Sequence, residues 1–137
     1  MESPGSNRIE AELTHRFADT IDTGLIADGM VSLWQEIDAV LCPILGQRGV
    51  AALYQRSLYL ASRTHGWLMD SRDDTQASID FTHLKTLLMQ QQRADLISGG
   101  GLLLHTFYEL LVSLVGRSLT ERVLHSVGAQ LFSSPPA

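Results

Sequence analysis

Residues 102–115 read LLLHTFYELLVSLV, and no other stretch so narrows what the chain can fold into. A helix apolar on nearly every side cannot lie on a wetted surface, so this one is expected at the centre of a helical bundle or in a subunit interface. At fourteen residues the run is shorter than the roughly 20 a membrane span needs, and it carries His105 and Glu109. No span and no membrane partner are expected.

The rest of the chain supplies the helices to surround it. Ile9, Leu13, Phe17 and Ile21 recur at four-residue steps, which predicts a first helix opening near Ser6 or Asn7. Ile26, Met30, Leu33, Trp34, Ile37, Val40 and Leu41 form a second apolar series, expected to stop at Pro43 with a turn through Cys42 to Gly46. A third helix over 48–63 carries Val50, Leu53, Tyr54, Ser57, Leu58 and Ala61 in one stripe. Residues 64–75 read as a loop pinned by Trp67, with Asp74 or Thr75 as the cap of a fourth helix over 76–98 that buries Ala77, Phe81, Leu84, Leu87 and Leu88. Gly99 is expected to end that helix and Gly116 the next. Ser118 and Glu121 then form an S-x-x-E capping box for a sixth helix.

Together these predict an all-α, single-domain bundle of five to six helices over 1–132, with a disordered tail over 133–137 (SSPPA). Neither an alternating strand nor an internal repeat is legible. A chain of 137 residues can bury a core without staples, and one cysteine excludes an internal disulfide and every multi-cysteine metal site. The wholly apolar helix and the Leu-rich faces lead to the expectation of a homodimer. Residues 2–8 hold one Arg with no apolar run behind it, so no secretory signal is expected and a cytoplasmic location is assumed.

Five histidines, His15, His65, His83, His105 and His125, raise three chemistries. A metal site is suggested by Glu12-x-x-His15, His105-x-x-x-Glu109 and Glu121-x-x-x-His125, each of which sets His and carboxylate on one helical face. A ferritin-like di-iron site requires two Glu-x-x-His pairs, and there is one. A hemerythrin-like bundle resembles the chain in size and shares the spacing of His105 and Glu109, but its other ligand pairs are missing. Histidine phosphotransfer domains resemble it in size and composition. Their H-x-[LIV]-K-G motif is not matched, because Lys85 follows His83 by two residues and so lies about 200° round the helix. A globin-like haem site with His105 as axial ligand lacks a recognisable aromatic wall.

Other chemistries find less. Cys42 before Pro43 reads as a packed thiol rather than an activated one. Ser98-Gly99-Gly100-Gly101 lacks the lysine of a phosphate loop and reads as a flexible helix joint. Asp70, Asp73 and Asp74 do not follow a calcium-loop order. No catalytic residue, metal or cofactor is assigned. His105, Thr106, Glu109 and Ser113 share one sector of their helix, expected to be its solvent window, with a buried polar seam or ligand site at His105 and Glu109 as the other reading.

Charge provides the sharper signal. The net charge is −5, which disfavours nucleic acid, but its distribution is uneven. Residues 1–45 hold 8 acids and 2 bases, whereas 46–69 hold 3 Arg and no acid. Arg48, Arg56, Tyr59 and Arg63 fall at helical spacing on the side opposite the apolar stripe. An aromatic set among guanidinium groups is the composition of an interaction hot spot. The expectation is a regulatory or adaptor protein that binds an acidic protein surface through this face. A phosphotransfer-like signalling protein, or a metal- or haem-binding bundle, is the alternative.

Overall fold

A computed structural model of the chain describes residues 22–68 and 79–124. The expected first helix with Glu12 and His15, the acidic loop with its cap at Asp74 or Thr75, Ala77, His125 and the 133–137 tail lie outside them. Every regular element among the described residues is helical: α1 (Thr23–Leu45), α2 (Gln47–Ser62), a short 3-10 turn (Gly66–Leu68), α3 (Phe81–Met89), α4 (Arg93–Val115) and α5 (Arg117–Leu124).

α1 starts at Asp22, an extended residue whose carboxylate accepts the Gly24 N–H at 2.8 Å. Its apolar series is buried as the spacing predicts, from Ile26 through Leu41. The helix does not stop at Pro43. Proline removes one donor, which would have bonded the carbonyl of Ala39, an exposed position that water can serve. One further turn forms, and Gly46 ends it at φ +82°, with its N–H donating to the Cys42 carbonyl at 2.9 Å.

The sequence expectation fails most clearly at 76–101. The described part of that segment is not one helix ending at Gly99 but two, α3 and α4, broken at 90–92. α3 is capped by Asp80, which accepts the His83 N–H at 3.0 Å. Only Leu84 and Leu88 of its expected core residues are fully buried, with Phe81 and Leu87 half-buried. All three glycines lie inside α4, and on two of them a large side chain rests directly on the backbone. A Cβ at Gly99 would overlap the Trp67 indole, and one at Gly100 would come to 2.5 Å from Met30 Sδ. What reads as a flexible joint is a pair of sockets.

α4 thus runs 23 residues, long and apolar enough by length and composition to cross a membrane. Six of its apolar side chains go to the core, while Leu114 stays in water. Leu96, Ile97, Leu103, Leu104, Phe107 and Leu111 are buried, chiefly against α2 with further contact to α1 and α5. At the crossing, Trp34 meets Tyr54 and Phe107 edge to face, with ring centroids 5.2 and 5.0 Å apart, and so ties α1, α2 and α4 together.

An internal repeat, unseen in the sequence, organises the fold. α1 and α4 have the same length and start 70 residues apart, at Thr23 and Arg93. Each ends at a glycine of matching backbone, Gly46 (φ 82°, ψ 157°) and Gly116 (φ 91°, ψ 158°), from which a second helix departs. Burial repeats as well. Ile26 and Leu96, Trp34 and Leu104, Ile37 and Phe107, Leu41 and Leu111, and Val50 and Thr120 are equivalent pairs buried in both halves. Met30 seats on its own equivalent, Gly100, a large residue filling the space a small one leaves. Where both members of a pair are described, identity is confined to Gly29/Gly99, Leu33/Leu103, Leu41/Leu111 and Gly46/Gly116, so the repeat is one of shape and burial.

Candidate functional site

α2 buries Val50, Ala51, Tyr54, Ser57, Leu58 and Ala61 and turns its other side to solvent. Its two buried serines satisfy themselves along the helix, Ser57 Oγ donating to the Leu53 carbonyl at 2.8 Å and Ser62 Oγ to that of Tyr59 at 2.6 Å. The outer side carries Arg48, Arg56, Tyr59 and Arg63, all exposed, with Tyr59 at 58%. The structure therefore places these four where their spacing predicts. None of the three guanidinium groups makes an ion pair with a described residue. Tyr59 is a large ring in water beside charges that have no described counterion.

His105 and Glu109 form a pair within α4, Nε2 to Oε1 3.1 Å, unequally placed: the imidazole is 11% exposed and the carboxylate 61%. Their sector is neither a full window nor a seam. His105 is tucked into the core, Thr106 is half-buried and bonded to the Leu102 carbonyl, and Glu109 and Ser113 reach solvent. Burial lowers the His105 pKa from its usual 6.5, and the carboxylate of Glu109 partly offsets this. The folded state thus prefers the neutral ring, so this contribution to stability is complete above the unfolded pKa and is lost as pH falls below about 6.5. Thermal midpoints from about pH 8 to pH 5 should fall further for the native chain than for His105→Gln. Parallel curves would remove His105 as a source of the pH response.

Among the described residues no group of three or more His, Cys, Asp and Glu is placed to hold a metal ion. Glu121, one half of an expected His/carboxylate pair, accepts a hydrogen bond from the Tyr108 hydroxyl at 3.3 Å. His65 Nε2 lies 3.4 Å from Ser98 Oγ and stacks edge-on to Trp67, which places it at the socket on α4. The Cys42 thiol is half-buried and donates to Asp38 Oδ1 at 3.3 Å. Desolvation and then Asp38 push its pKa up, which opposes activation as a nucleophile.

One feature escaped the sequence reading. Leu41, Ile44 and Leu45 of α1, Leu111 and Val115 of α4, and Leu119, Thr120 and Val123 of α5 meet in an apolar cluster where the C-terminal ends of α1 and α4 close on α5, with Leu41, Leu111 and Thr120 fully buried in it. Ile44 at its edge is 46% exposed and Leu119 37%, and elsewhere on α4 Leu114 is 61% exposed. The cluster brings together two helix ends that the repeat makes equivalent, and a repeat with so few identical residues gives no warning of it. No family model matches the chain, and no curated protein or solved structure matches it either.

Proposed function

We propose that the chain is a small cytoplasmic regulatory or adaptor protein of one helical domain, which binds an acidic protein surface through the exposed side of α2. One observation supports this above others: Arg48, Arg56 and Arg63 stand with Tyr59 on one exposed stripe and make no ion pair with any described carboxylate. Guanidinium groups pair carboxylates with two parallel hydrogen bonds, and an exposed ring between them adds area that a partner can bury.

The repeat supplies an internal control. The position of Arg48 is occupied by Ser118 in the second half, and those of Arg56, Tyr59 and Arg63 correspond in sequence to Ser126, Ala129 and Ser133. The fold's need for a helix after the glycine is met in both halves, and the second carries its exposed arginines, Arg117 and Arg122, at other positions than those of the α2 stripe. Packing alone does not call for that stripe.

Arg56→Glu combined with Tyr59→Ala should abolish capture of a specific partner from lysate, as read by quantitative mass spectrometry, and leave the circular dichroism spectrum unchanged. Both residues are exposed, so an effect on stability beyond about 0.5 kcal/mol is not expected. Capture of the same proteins at the same level by the double variant would reject the α2 face.

A homodimer loses part of its motive, because α4 is covered by helices of its own chain. What still speaks for a second copy is the exposure of the aliphatics Ile44, Leu114 and Leu119.

A further inference from the structure

An acidic surface that fits the α2 stripe is present on the chain itself. Arg48, Ala52, Arg56 and Tyr59 are all exposed and fall within an arc of about 80° on α2. On the outer side of α1, Leu25, Asp28, Ser32 and Glu36 are likewise all exposed and fall within an arc of about the same width. Each strip carries two like charges eight residues apart, about 12 Å along its helix, with a small residue midway: Ala52 between Arg48 and Arg56, Ser32 between Asp28 and Glu36. Each also holds one large apolar side chain in water, a turn beyond a charge. Tyr59 is 58% exposed and Leu25 60%.

We infer that the α2 stripe docks on the α1 strip of a second copy of this chain, with the two helices antiparallel. The inference rests on the reading of α2 as a docking face and names the acidic surface it meets. In this register Arg48 faces the partner's Glu36, Ala52 the partner's Ser32, Arg56 the partner's Asp28 and Tyr59 the partner's Leu25. Both charge pairs are opposite in sign, small residues meet where the backbones come closest, and the two exposed apolar side chains cover each other. A parallel register also matches the charges, but it sets Tyr59 against Ala39 and leaves Leu25 in water. The charged groups are available. Arg48, Arg56 and Glu36 make no ion pair with a described residue, and Asp28, though bonded to Lys85 Nζ at 2.7 Å, keeps its side chain 55% exposed.

The repeat shows that this side of α1 is not wet by necessity. On α4 the positions of Asp28, Ser32 and Glu36 hold Ser98, Leu102 and Thr106, all half-buried. The fold covers that side of one long helix and leaves it in water on the other, and the wet one carries the acids. The four charges of the register belong to the first half alone, since Ser98, Thr106, Ser118 and Ser126 hold their places in the second.

Sedimentation velocity of the full chain over about 1 to 100 µM should show self-association that weakens with added salt. Arg48→Glu and Glu36→Arg, both at exposed positions, should each weaken it about tenfold or more with the helical spectrum intact, because each sets like charges face to face. An equimolar mixture of the two variants should associate to within about threefold of the native chain, because the two reversals then oppose each other. Arg56→Glu mixed with Glu36→Arg, the match of the parallel register, should gain nothing over its components.

A chain that stays monomeric throughout that range overturns the inference. So does association that neither single reversal weakens, or an Arg48→Glu and Glu36→Arg mixture no stronger than its components. Rescue by the Arg56→Glu mixture in its place would overturn the antiparallel register. The α2 face is judged separately: if the chain is monomeric and Arg56→Glu with Tyr59→Ala still removes a captured partner, that face stands and the acidic surface belongs to another protein.

Discussion

Trp34→Ala is expected to cost about 3–5 kcal/mol of folding stability, a large share of the roughly 5–15 kcal/mol a domain of this size holds. The indole is 1% exposed and is the largest fully buried side chain. It stands where three helices cross, with Tyr54 of α2 on one edge and Phe107 of α4 on another. Truncation removes the transfer energy of the ring and leaves a cavity whose walls belong to three different elements, which cannot all close in at once. Urea unfolding followed by circular dichroism measures it: the midpoint should move sharply down. Because Phe107 loses its partner in the same event, the losses from Trp34→Ala and Phe107→Ala should sum to more than the double variant shows. A Trp34→Ala cost below about 1.5 kcal/mol would mean that the crossing is not the anchor of the core.

Gly99→Ala should destabilise, against the rule for helix interiors. Replacing glycine by alanine within a helix ordinarily gains up to about 1 kcal/mol. At Gly99 the added methyl overlaps the Trp67 ring, with Cε2 and Cη2 each 3.1 Å from the new carbon. A rigid indole must shift bodily, and overpacking of that kind costs about 1–3 kcal/mol, enough to reverse the sign. Gly100→Ala should be milder, since the atoms it meets, Sδ and Cε of Met30, are the far end of a flexible side chain. Trp67→Leu in the Gly99→Ala background should restore stability, and the indole makes a suitable target because its Nε1 is buried without a described hydrogen-bond partner. Should Gly99→Ala raise the urea midpoint, the socket is not filled as described.

These two residues also mark where the amino-acid sequence stops being sufficient. Trp34 was legible, since its place in the Ile26 to Leu41 series dictates which way it faces. So was the buried side of α2, because a helix's periodicity reports its surroundings directly, whereas the run 102–115 is only partly buried: Leu103, Leu104, Phe107 and Leu111 are in the core and Leu114 is in water. The exposed arginines of α2 follow by subtraction from the same pattern. Gly99 misled for a physical reason. Glycine ends helices where a left-handed residue is needed, and it also sits inside them where another side chain must touch the backbone; only the distant Trp67 and Met30 distinguish the two. Pro43 misled for a related reason, because its cost depends on whether the carbonyl four residues back has access to water. The apolar cluster at the ends of α1 and α4 was invisible for a third. Ile44 and Leu119 are unremarkable surface aliphatics until the repeat brings their helix ends to one place.

The repeat bears finally on stoichiometry. An assembly of two identical chains must show every surface feature twice, once per symmetry mate. A single chain whose halves share burial but not surface is free of that obligation. It keeps Arg48 where the other half has Ser118, and a Met30 where the other half has the glycine that receives it. The α2 stripe thus occurs once per molecule. The apolar cluster between the equivalent ends of α1 and α4 is not duplicated either, since α5 is only lightly packed against α1 whereas α2 lies closely on α4. On the proposal made above for the α2 face, a monomer of this chain would offer a partner that face once and would bind it one to one.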